Sequence, residues 1–266
     1  MGKLAILSGA GGLPHRLAAL NPDAVQISFS GVAHDLGEGT QEHRFEAMGA
    51  LFDALKSQDV SEVVMAGAMS RPPLDPAAFD PVMRALEPRL IAAMQGGDDA
   101  LLRFVISVFE DQGFRVRGAH ELDPSLAPEA GVLAGQALST SAQADADRAI
   151  AILHALSPLD VGQGAVVENG LCLGVETLQG TDALLAFVAR TPQHLRGQGG
   201  VFVKAPKQGQ DLRVDMPTIG PETVRAAASS GLSAILVAAG AVIVLERKKT
   251  ISLAEAAGIS LTAQDI

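Results

Sequence analysis

The sequence predicts an α/β protein, and three observations lead to that class. Short apolar runs typical of strands alternate with longer segments of helical periodicity, a pattern that indicates parallel sheets with crossover helices. The 266 residues include 28 glycines and 14 prolines, which supply many turns. Hydrophobic residues make up 48% of the chain but aromatic residues only 3%, so Ala, Leu, Val and Ile must form most of a large core.

The first half of the chain alternates between strand and helix. The strand candidates are short segments between turn residues: 4–7, 24–29, 62–66 and 115–118. The helix candidates carry apolar residues at helical spacing: 14–20, 45–57, 81–94 and 100–111. This order predicts a parallel sheet with crossover helices in a first domain of residues 1–122.

A break in this periodicity marks the predicted domain boundary. Residues 123–130, D-P-S-L-A-P-E-A, contain two prolines, and we place a linker at 123–138. A second α/β domain is expected at 139–266. Its helix candidates are 142–156, 181–189 and 221–230. Its strand candidates are 164–167, 171–175, 200–205, 234–237 and 241–245.

Charge and composition exclude several classes of protein. A net charge of −10 and the scarcity of aromatic residues argue against a nucleic-acid-binding surface. Cys172 is the single cysteine, which excludes an intrachain disulfide and a cysteine-rich metal site and fits a reducing cytosol. The chain lacks the motifs H-E-x-x-H, G-x-S-x-G and G-x-x-x-x-G-K-[ST]. No apolar run is long enough to span a membrane, although association with a membrane surface stays open.

The segment K-A-P-K-Q-G-Q-D-L-R-V-D-M-P-T-I-G, residues 204–220, concentrates cations, carboxylates and hydroxyls between two apolar runs. Its prolines restrict the backbone, so Lys204, Lys207 and Asp215 are expected on a constrained loop. Lysine suits phosphate, and a carboxylate can hold a divalent ion or orient water. The segment therefore predicts chemistry on a phosphoryl or diphosphate group, but a surface loop with salt bridges explains the same composition.

A glycine-rich turn, S-G-A-G-G-L-P, joins the first strand candidate to the first helix candidate. The backbone amides of Gly9, Gly11 and Gly12 could face an anion at the helix N-terminus. Gly9 and Gly11 match two glycines of the Rossmann dinucleotide fingerprint, but Pro14 stands at the third position, so the fingerprint for NAD is incomplete. A tight turn that needs glycine for its backbone conformation explains the same residues.

Further candidate ligand contacts lie at predicted helix starts and beside a turn. Asp98 and Asp99 open one helix, and Thr181 and Asp182 open another. Helix capping also explains these residues, because a side-chain oxygen there accepts hydrogen bonds from free amides. Gln163 lies in V-G-Q-G-A-V-V-E-N-G, which predicts a strand and a hairpin turn, and could face a ligand.

Six motifs follow one another along most of the chain: S-G-A-G-G-L-P, A-G-A-M-S-R-P, G-D-D-A-L-L-R, D-V-G-Q-G-A-V-V, E-T-L-Q-G-T-D and K-A-P-K…R-V-D-M-P-T-I-G. Together they resemble the LpxI family of UDP-2,3-diacylglucosamine pyrophosphatases. Each motif alone is short, but six in the same order make a chance likeness improbable. The likeness is poor at 21–40, at 122–144 and in the C-terminal tail.

The resemblance implies a Rossmann-like N-terminal domain and a second α/β domain that clasp the substrate, in a homodimer. It implies Mg²⁺-dependent hydrolysis, with Mn²⁺ as an alternative, of UDP-2,3-diacylglucosamine to 2,3-diacylglucosamine 1-phosphate (lipid X) and UMP. Water would attack the β-phosphorus, in a step of lipid A biosynthesis. The protein would act in the cytoplasm, peripheral to the cytoplasmic face of the inner membrane. Asp215 matches the family's essential aspartate in R-V-D-x-P-T-I-G and is our candidate catalytic residue and metal ligand.

We expect the substrate to be bound by a wider set of residues: Gly9, Gly11, Gly12, Asp98, Asp99, Gln163, Thr181, Asp182, Lys204, Lys207 and Thr218. Two alternative functions stay open. One is a Rossmann-type nucleotide-sugar or dinucleotide enzyme, which predicts saturable binding of a nicotinamide nucleotide. The other is a noncatalytic carrier of a nucleotide-linked lipid, which predicts tight binding without product.

Overall fold

The computed structural model describes residues 2–69, 73–197 and 199–266, and of Asp98 only the backbone. Contacts between residues divide the chain into two compact units. The first unit comprises residues 1–123 and 213–215, and the second comprises 124–212 and 216–266. Each unit combines a β-sheet with α-helices, so the predicted α/β class is confirmed.

The first unit is built on a parallel sheet of five strands in the order β3-β2-β1-β4-β5. These strands are β1 (Lys3–Ser8), β2 (Val25–Phe29), β3 (Gln41–His43), β4 (Val60–Ala66) and β5 (Arg115–Arg117). The direction of winding reverses between β1 and β4, and in open parallel sheets such a reversal creates a crevice at the carboxyl ends of the strands. The sequence did not predict β3, because its three residues, Q-E-H, carry no apolar alternation.

Five helices accompany this sheet among the described residues of the first unit: α1 (Gly12–Leu20), α2 (Met48–Ser57), α3 (Pro81–Gln95), α4 (Asp98–Asp111) and α5 (Ala119–Leu122). Helix α2 buries Leu51, Phe52 and Leu55, which lie on one face at helical spacing. The ring of Phe52 meets that of Phe109 edge to face, with 5.4 Å between centroids. Burial of each such side chain contributes about 1.5–3 kcal/mol. These contacts therefore stabilise the packing of α2 against α4 and against the core that the strands share.

The second unit contains a mixed sheet of six strands in the order β6-β13-β11-β9-β7-β8. These strands are β6 (Gly131–Ala134), β7 (Gly164–Glu168), β8 (Leu171–Val175), β9 (Val201–Lys204), β11 (Ala234–Ala238) and β13 (Ser260–Gln264). Strands β9, β11 and β13 are parallel, whereas β6 and β7 run antiparallel to their neighbours. Strands β10 (Thr218–Ile219) and β12 (Ile243–Val244) form a separate parallel pair. Strand β6 lies inside the stretch expected to act as a linker.

The described helices of the second unit are α6 (Thr140–Leu156), α7 (Gly180–Val188), α8 (Pro221–Ser229) and α9 (Arg247–Ala257). Helix α6 begins after Ser139, whose hydroxyl accepts a hydrogen bond from the amide of Ala142 at 3.2 Å. The predicted helices correspond to α6, α7 and α8, but α9 and β13 were not predicted. The sequence of α9, R-K-K-T-I-S-L-A-E-A-A, buries only Thr250 and Ala254 and therefore shows little apolar periodicity.

None of the helices in the described ranges is both long enough and apolar enough to cross a bilayer.

Two glycines of the first unit provide a matched test of close backbone packing. Gly67 and Gly113 both have positive φ, +86° and +90°, so alanine at either position adopts an unfavourable left-handed backbone. A Cβ at Gly67 would lie 2.6 Å from the carbonyl oxygen of Ala10, whereas a Cβ at Gly113 would meet no atom within 4 Å. We expect Gly67→Ala to cost roughly 1–3 kcal/mol more than Gly113→Ala in urea unfolding. Equal losses would contradict the close approach of the loops after β1 and β4.

Candidate functional site

The glycine-rich turn lies at the carboxyl end of β1, beside the loop that follows β4. Ala10 and Ala68 exchange backbone hydrogen bonds of 2.9 Å, which join the two loops. A Cβ at Gly9 would lie 2.3 Å from the carbonyl oxygen of Ala68. Gly9 is therefore required for close packing of the two loops. The sequence analysis had explained this glycine by a tight turn or by contact with a ligand.

Gly11 and Gly12 are open, in contrast to Gly9. A Cβ at either residue would meet no atom within 4 Å, and Gly12 is the first residue of α1. The amide of Gly11 donates a hydrogen bond of 3.0 Å to Oδ2 of Asp35, which is exposed. A carboxylate of the protein itself thus accepts a hydrogen bond from this turn, which is the interaction that a bound anion would make with the same amide.

Asp215 belongs to the first unit, although the residues on either side of 213–215 belong to the second. Three contacts hold this segment. The guanidinium of Arg213 forms an ion pair of 2.6 Å with Glu110, and Val214 packs against the core of the first unit. The Cα of Arg213 lies 3.4 Å from the place where a Cβ of Gly118 would be. Because Gly118 directly follows β5, the segment that carries Asp215 lies near the carboxyl end of that strand.

His120 and Glu121 follow the same strand. Nδ1 of His120 is shielded from solvent and has no hydrogen-bond partner among the described residues. Burial raises the pKa of Glu121, but hydrogen bonds from Arg117, 2.6 Å, and from the amide of Gly118, 3.2 Å, outweigh it and hold the pKa below its ordinary value. Sequence reasoning did not single out His120, because only the fold brings its ring beside Gly118.

Helix α4 contains the next two candidates. Asp98 is its first residue, and the side chain of Asp98 lies outside the described part of the structure. Asp99 accepts a hydrogen bond of 2.7 Å from Arg103 one turn later. The N-cap is Gly97, so Asp99 is not the capping residue, although a carboxylate in the first turn favours the helix dipole.

Lys204 lies in a buried polar cluster at the carboxyl end of β9, an interior strand of the second sheet. Its ammonium group donates hydrogen bonds to both carboxylate oxygens of Glu176, at 2.9 and 2.6 Å, and to the hydroxyl of Thr181, at 2.8 Å. Lys204 is 3% exposed and Glu176 9%, so this pair is removed from solvent. Thr181, in the first turn of α7, also donates to Glu176 at 3.2 Å. The structure therefore brings Lys204 and Thr181 into direct contact, and both bind Glu176, a residue outside the predicted set.

Two loops next to this cluster are joined by side chains. Lys207 forms an ion pair with Asp160, and the hydroxyl of Ser157 accepts from the amide of Gln208 at 2.7 Å. Gln163 donates to Oε1 of Gln210 at 3.1 Å. Asp160 adopts a left-handed backbone with φ of 58°, a strained conformation for a residue with a side chain.

The last two candidates, Asp182 and Thr218, also lie in the second unit. Asp182 is exposed in the first turn of α7, next to Thr181. Thr218 lies in β10, and its hydroxyl donates to the carbonyl oxygen of Met216 at 3.1 Å. The second unit thus brings Gln163 and Lys207 to one pair of loops and joins Lys204 to Thr181.

Asp160 and Glu176 are polar residues of this region that lie outside the predicted set. Both occur in the motifs quoted above, so their presence was visible, but their partners were not. Glu176 precedes Lys204 by 28 residues in sequence, and the pair forms because β8 and β9 flank β7 and end at the same side of the sheet. Only the order of the strands shows that contact.

In the described ranges, no three or more His, Cys, Asp or Glu side chains are grouped to bind a metal ion. Mg²⁺ usually binds through one or two carboxylates together with water and substrate phosphates, rather than in a cage of protein ligands. A carboxylate such as that of Asp215 would supply one ligand in that mode.

The lowered pKa of Glu121 predicts a pH-dependent contribution to stability. A carboxylate whose pKa is lowered by folding stabilises the protein above its unfolded pKa, and that contribution is lost as the pH falls through the folded value. We expect Glu121→Gln to lower the urea midpoint at pH 7, and the difference from wild type to shrink below about pH 4.3. The exposed Glu255→Gln serves as control. A difference that persists in acid would mean that Glu121 acts by packing instead of charge.

Comparisons with known proteins match the whole chain. The model of the LpxI N-terminal domain matches residues 3–126, and that of the LpxI C-terminal domain matches residues 129–262. The chain is 38% identical over 278 aligned positions to the UDP-2,3-diacylglucosamine pyrophosphatase LpxI of Caulobacter vibrioides, an alignment that covers 100% of this chain and 98% of the relative. Two domain matches in order and similarity over the full length lead to one conclusion: the chain belongs to the LpxI family.

Proposed function

We propose that this protein hydrolyses UDP-2,3-diacylglucosamine to 2,3-diacylglucosamine 1-phosphate (lipid X) and UMP, a step of lipid A biosynthesis. The observation that carries the proposal is the full-length similarity to a pyrophosphatase named for this substrate. Water attacks the β-phosphorus, the bond from that phosphorus to the bridging oxygen breaks, and the bridging oxygen leaves with UMP. One proton of the water passes to a base.

Asp215 is the residue proposed to act on the attacking water. A carboxylate that orients the water and accepts its proton can accelerate such a step by about 10²–10⁴-fold. The contacts of Arg213 and Val214 fix the backbone of Asp215 against the first unit. A fixed backbone limits the positions that the carboxylate can take, which favours a defined geometry for attack.

Binding of the diphosphate requires positive charge and hydrogen-bond donors. In this proposal Lys207 and Gln163 bind it from the two joined loops, with Asp182 and Thr218 as further contacts. Gly11 and Gly12, with Asp98 and Asp99, bind another part of the ligand, which takes the place of Asp35 at the amide of Gly11. Mg²⁺, or Mn²⁺ in its place, would be held by Asp215 and would neutralise charge on the phosphates.

We propose further that the protein is a homodimer and that it works in the cytoplasm. It would reach its lipid substrate at the cytoplasmic face of the inner membrane. Family resemblance supports these statements. Size-exclusion chromatography with light scattering tests the dimer, and flotation with vesicles tests the membrane contact.

Replacement of Asp215 is the decisive test of the reaction. We expect Asp215→Asn to lower kcat by about 10²–10⁴-fold without loss of folding, because the amide cannot accept the proton. Turnover of UDP-2,3-diacylglucosamine in ¹⁸O-water, with Mg²⁺ or with chelator, is followed by mass spectrometry of lipid X and UMP. The exposed Asp53→Asn on α2 is the matched control and should retain turnover.

Each result of that experiment has a distinct meaning. Products that need metal, are lost in Asp215→Asn and carry ¹⁸O in lipid X support hydrolysis by attack on the β-phosphorus. Label in UMP keeps the hydrolase but overturns the site of attack. Substrate that binds and stays intact under every condition favours the noncatalytic carrier. Saturable binding of a nicotinamide nucleotide, measured in parallel, favours the Rossmann-type nucleotide enzyme.

Lys207 provides a second test, directed at substrate binding. If its ammonium group contacts the diphosphate equally before and during reaction, Lys207→Gln should raise KM about tenfold or more and change kcat little. Steady-state kinetics at fixed ionic strength measures both constants. Lys249→Gln, which removes an exposed lysine of α9 paired with Glu246, is the control. An unchanged KM would assign Lys207 to the ion pair with Asp160 alone.

A further inference from the structure

A row of three residues, Lys204, Gly164 and Glu176, crosses the second sheet at the ends of β9, β7 and β8. Gly164 of β7 pairs with Lys204 of β9, and the carbonyl oxygen of Gly164 accepts a hydrogen bond of 2.7 Å from the amide of Glu176. Residues aligned across neighbouring strands share a face of the sheet. Because Gly164 carries no side chain, Lys204 and Glu176 meet across it.

The space above Gly164 is fitted to the charged pair. A Cβ on that residue would lie 2.6 Å from Oε2 of Glu176 and 2.8 Å from the ring of Phe202. The pair therefore requires a glycine between its two strands, which explains the second glycine of the motif D-V-G-Q-G-A-V-V.

The hydrogen bonds of the pair leave no donor of Lys204 unused. A lysine ammonium group has three donors, and the three acceptors within reach are the two oxygens of Glu176 and the hydroxyl of Thr181. At 3% exposure, Lys204 also has almost no surface open to a ligand. Direct contact of Lys204 with a phosphate would require loss of one of these bonds and exposure of the group.

We infer that Glu176 and Lys204 are positioning residues that act on the substrate through Thr181, an inference that rests on the proposed function. The pair fixes the Thr181 hydroxyl, whose donor is directed to Glu176 and whose remaining lone pair can accept a hydrogen bond from the substrate. Thr181 lies in the first turn of α7, so the pair also holds the start of that helix against the ends of β8 and β9. Lys204 differs in this respect from Lys207, which contacts the ligand itself in the proposed function.

Replacement of both charged residues by apolar ones removes the pair without leaving a buried charge. Buried ion pairs can often be replaced by apolar residues of similar size without loss of stability, whereas removal of one partner leaves a buried charge and is strongly destabilising. We expect Lys204→Met alone to lower Tm by roughly 6–15 °C, and the pair variant Glu176→Leu/Lys204→Met to regain most of that loss. The exposed pair Glu222 and Arg225 of α8, replaced in the same way, is the matched control.

Affinity for the substrate distinguishes a positioning role of Lys204 from direct contact with the substrate and from a purely structural role. The binding constant for UDP-2,3-diacylglucosamine is measured by calorimetry in the full chain carrying Asp215→Ala, so that substrate persists. We expect the pair variant and Thr181→Val each to weaken binding about tenfold or more, and the triple variant to be no weaker than either. This result means that Lys204 acts only through the hydroxyl of Thr181.

Two results would overturn the inference. Multiplicative losses in the triple variant would show that Lys204 contacts the substrate independently, and unchanged affinity in the pair variant would leave the pair a structural role only. If the pair variant does not fold, Lys204→Arg, which keeps the charge and changes the donor geometry, replaces it in the same cycle under the same criteria. Turnover of the wild-type protein is measured separately, so failure of the proposed hydrolysis is distinguishable from failure of the positioning role.

Discussion

The second sheet depends on one physical constraint: each charge buried at the ends of its strands must have a partner. Glu168 at the end of β7 forms an ion pair of 2.5 Å with Arg196, and Glu176 binds Lys204 at the end of β9. Buried Asp145 on α6 accepts hydrogen bonds of 2.9 and 2.6 Å from the backbone amides of the β7–β8 turn. An unpaired buried charge is costly, so each of these contacts fixes the relative positions of the elements that supply its two sides.

The two units use small residues for similar ends. In the first unit, Gly9 and Gly67 allow the loops after β1 and β4 to pack backbone against backbone. In the second unit, Gly164 leaves room for a lysine and a glutamate to meet above it. In both cases glycine has no side chain and so allows a close approach. The polar groups nearby are held in defined positions as a result.

The segment from Lys204 to Thr218 divides its residues among different physical roles. Lys204 is buried with its donors satisfied, whereas Lys207 forms an ion pair with the exposed Asp160. Asp215 packs with the first unit although its neighbours in sequence belong to the second. Residues that look equivalent in a motif thus differ in exposure, in partners and in the reactions open to them.

The sequence by itself determined the α/β class, the strongly periodic helices and the family, because these depend on local periodicity and on short motifs. Strands β3 and β13 and helix α9 escaped prediction, since their residues lack an apolar period and are held by pairing or packing with distant elements. The motifs likewise made Asp215 and both lysines of K-A-P-K candidates, but they did not show the partners of these residues. Tertiary structure alone decided the contact of Lys204 with Glu176 and the packing of 213–215 with the first unit, because strand order and chain crossing are long-range properties that no local pattern encodes.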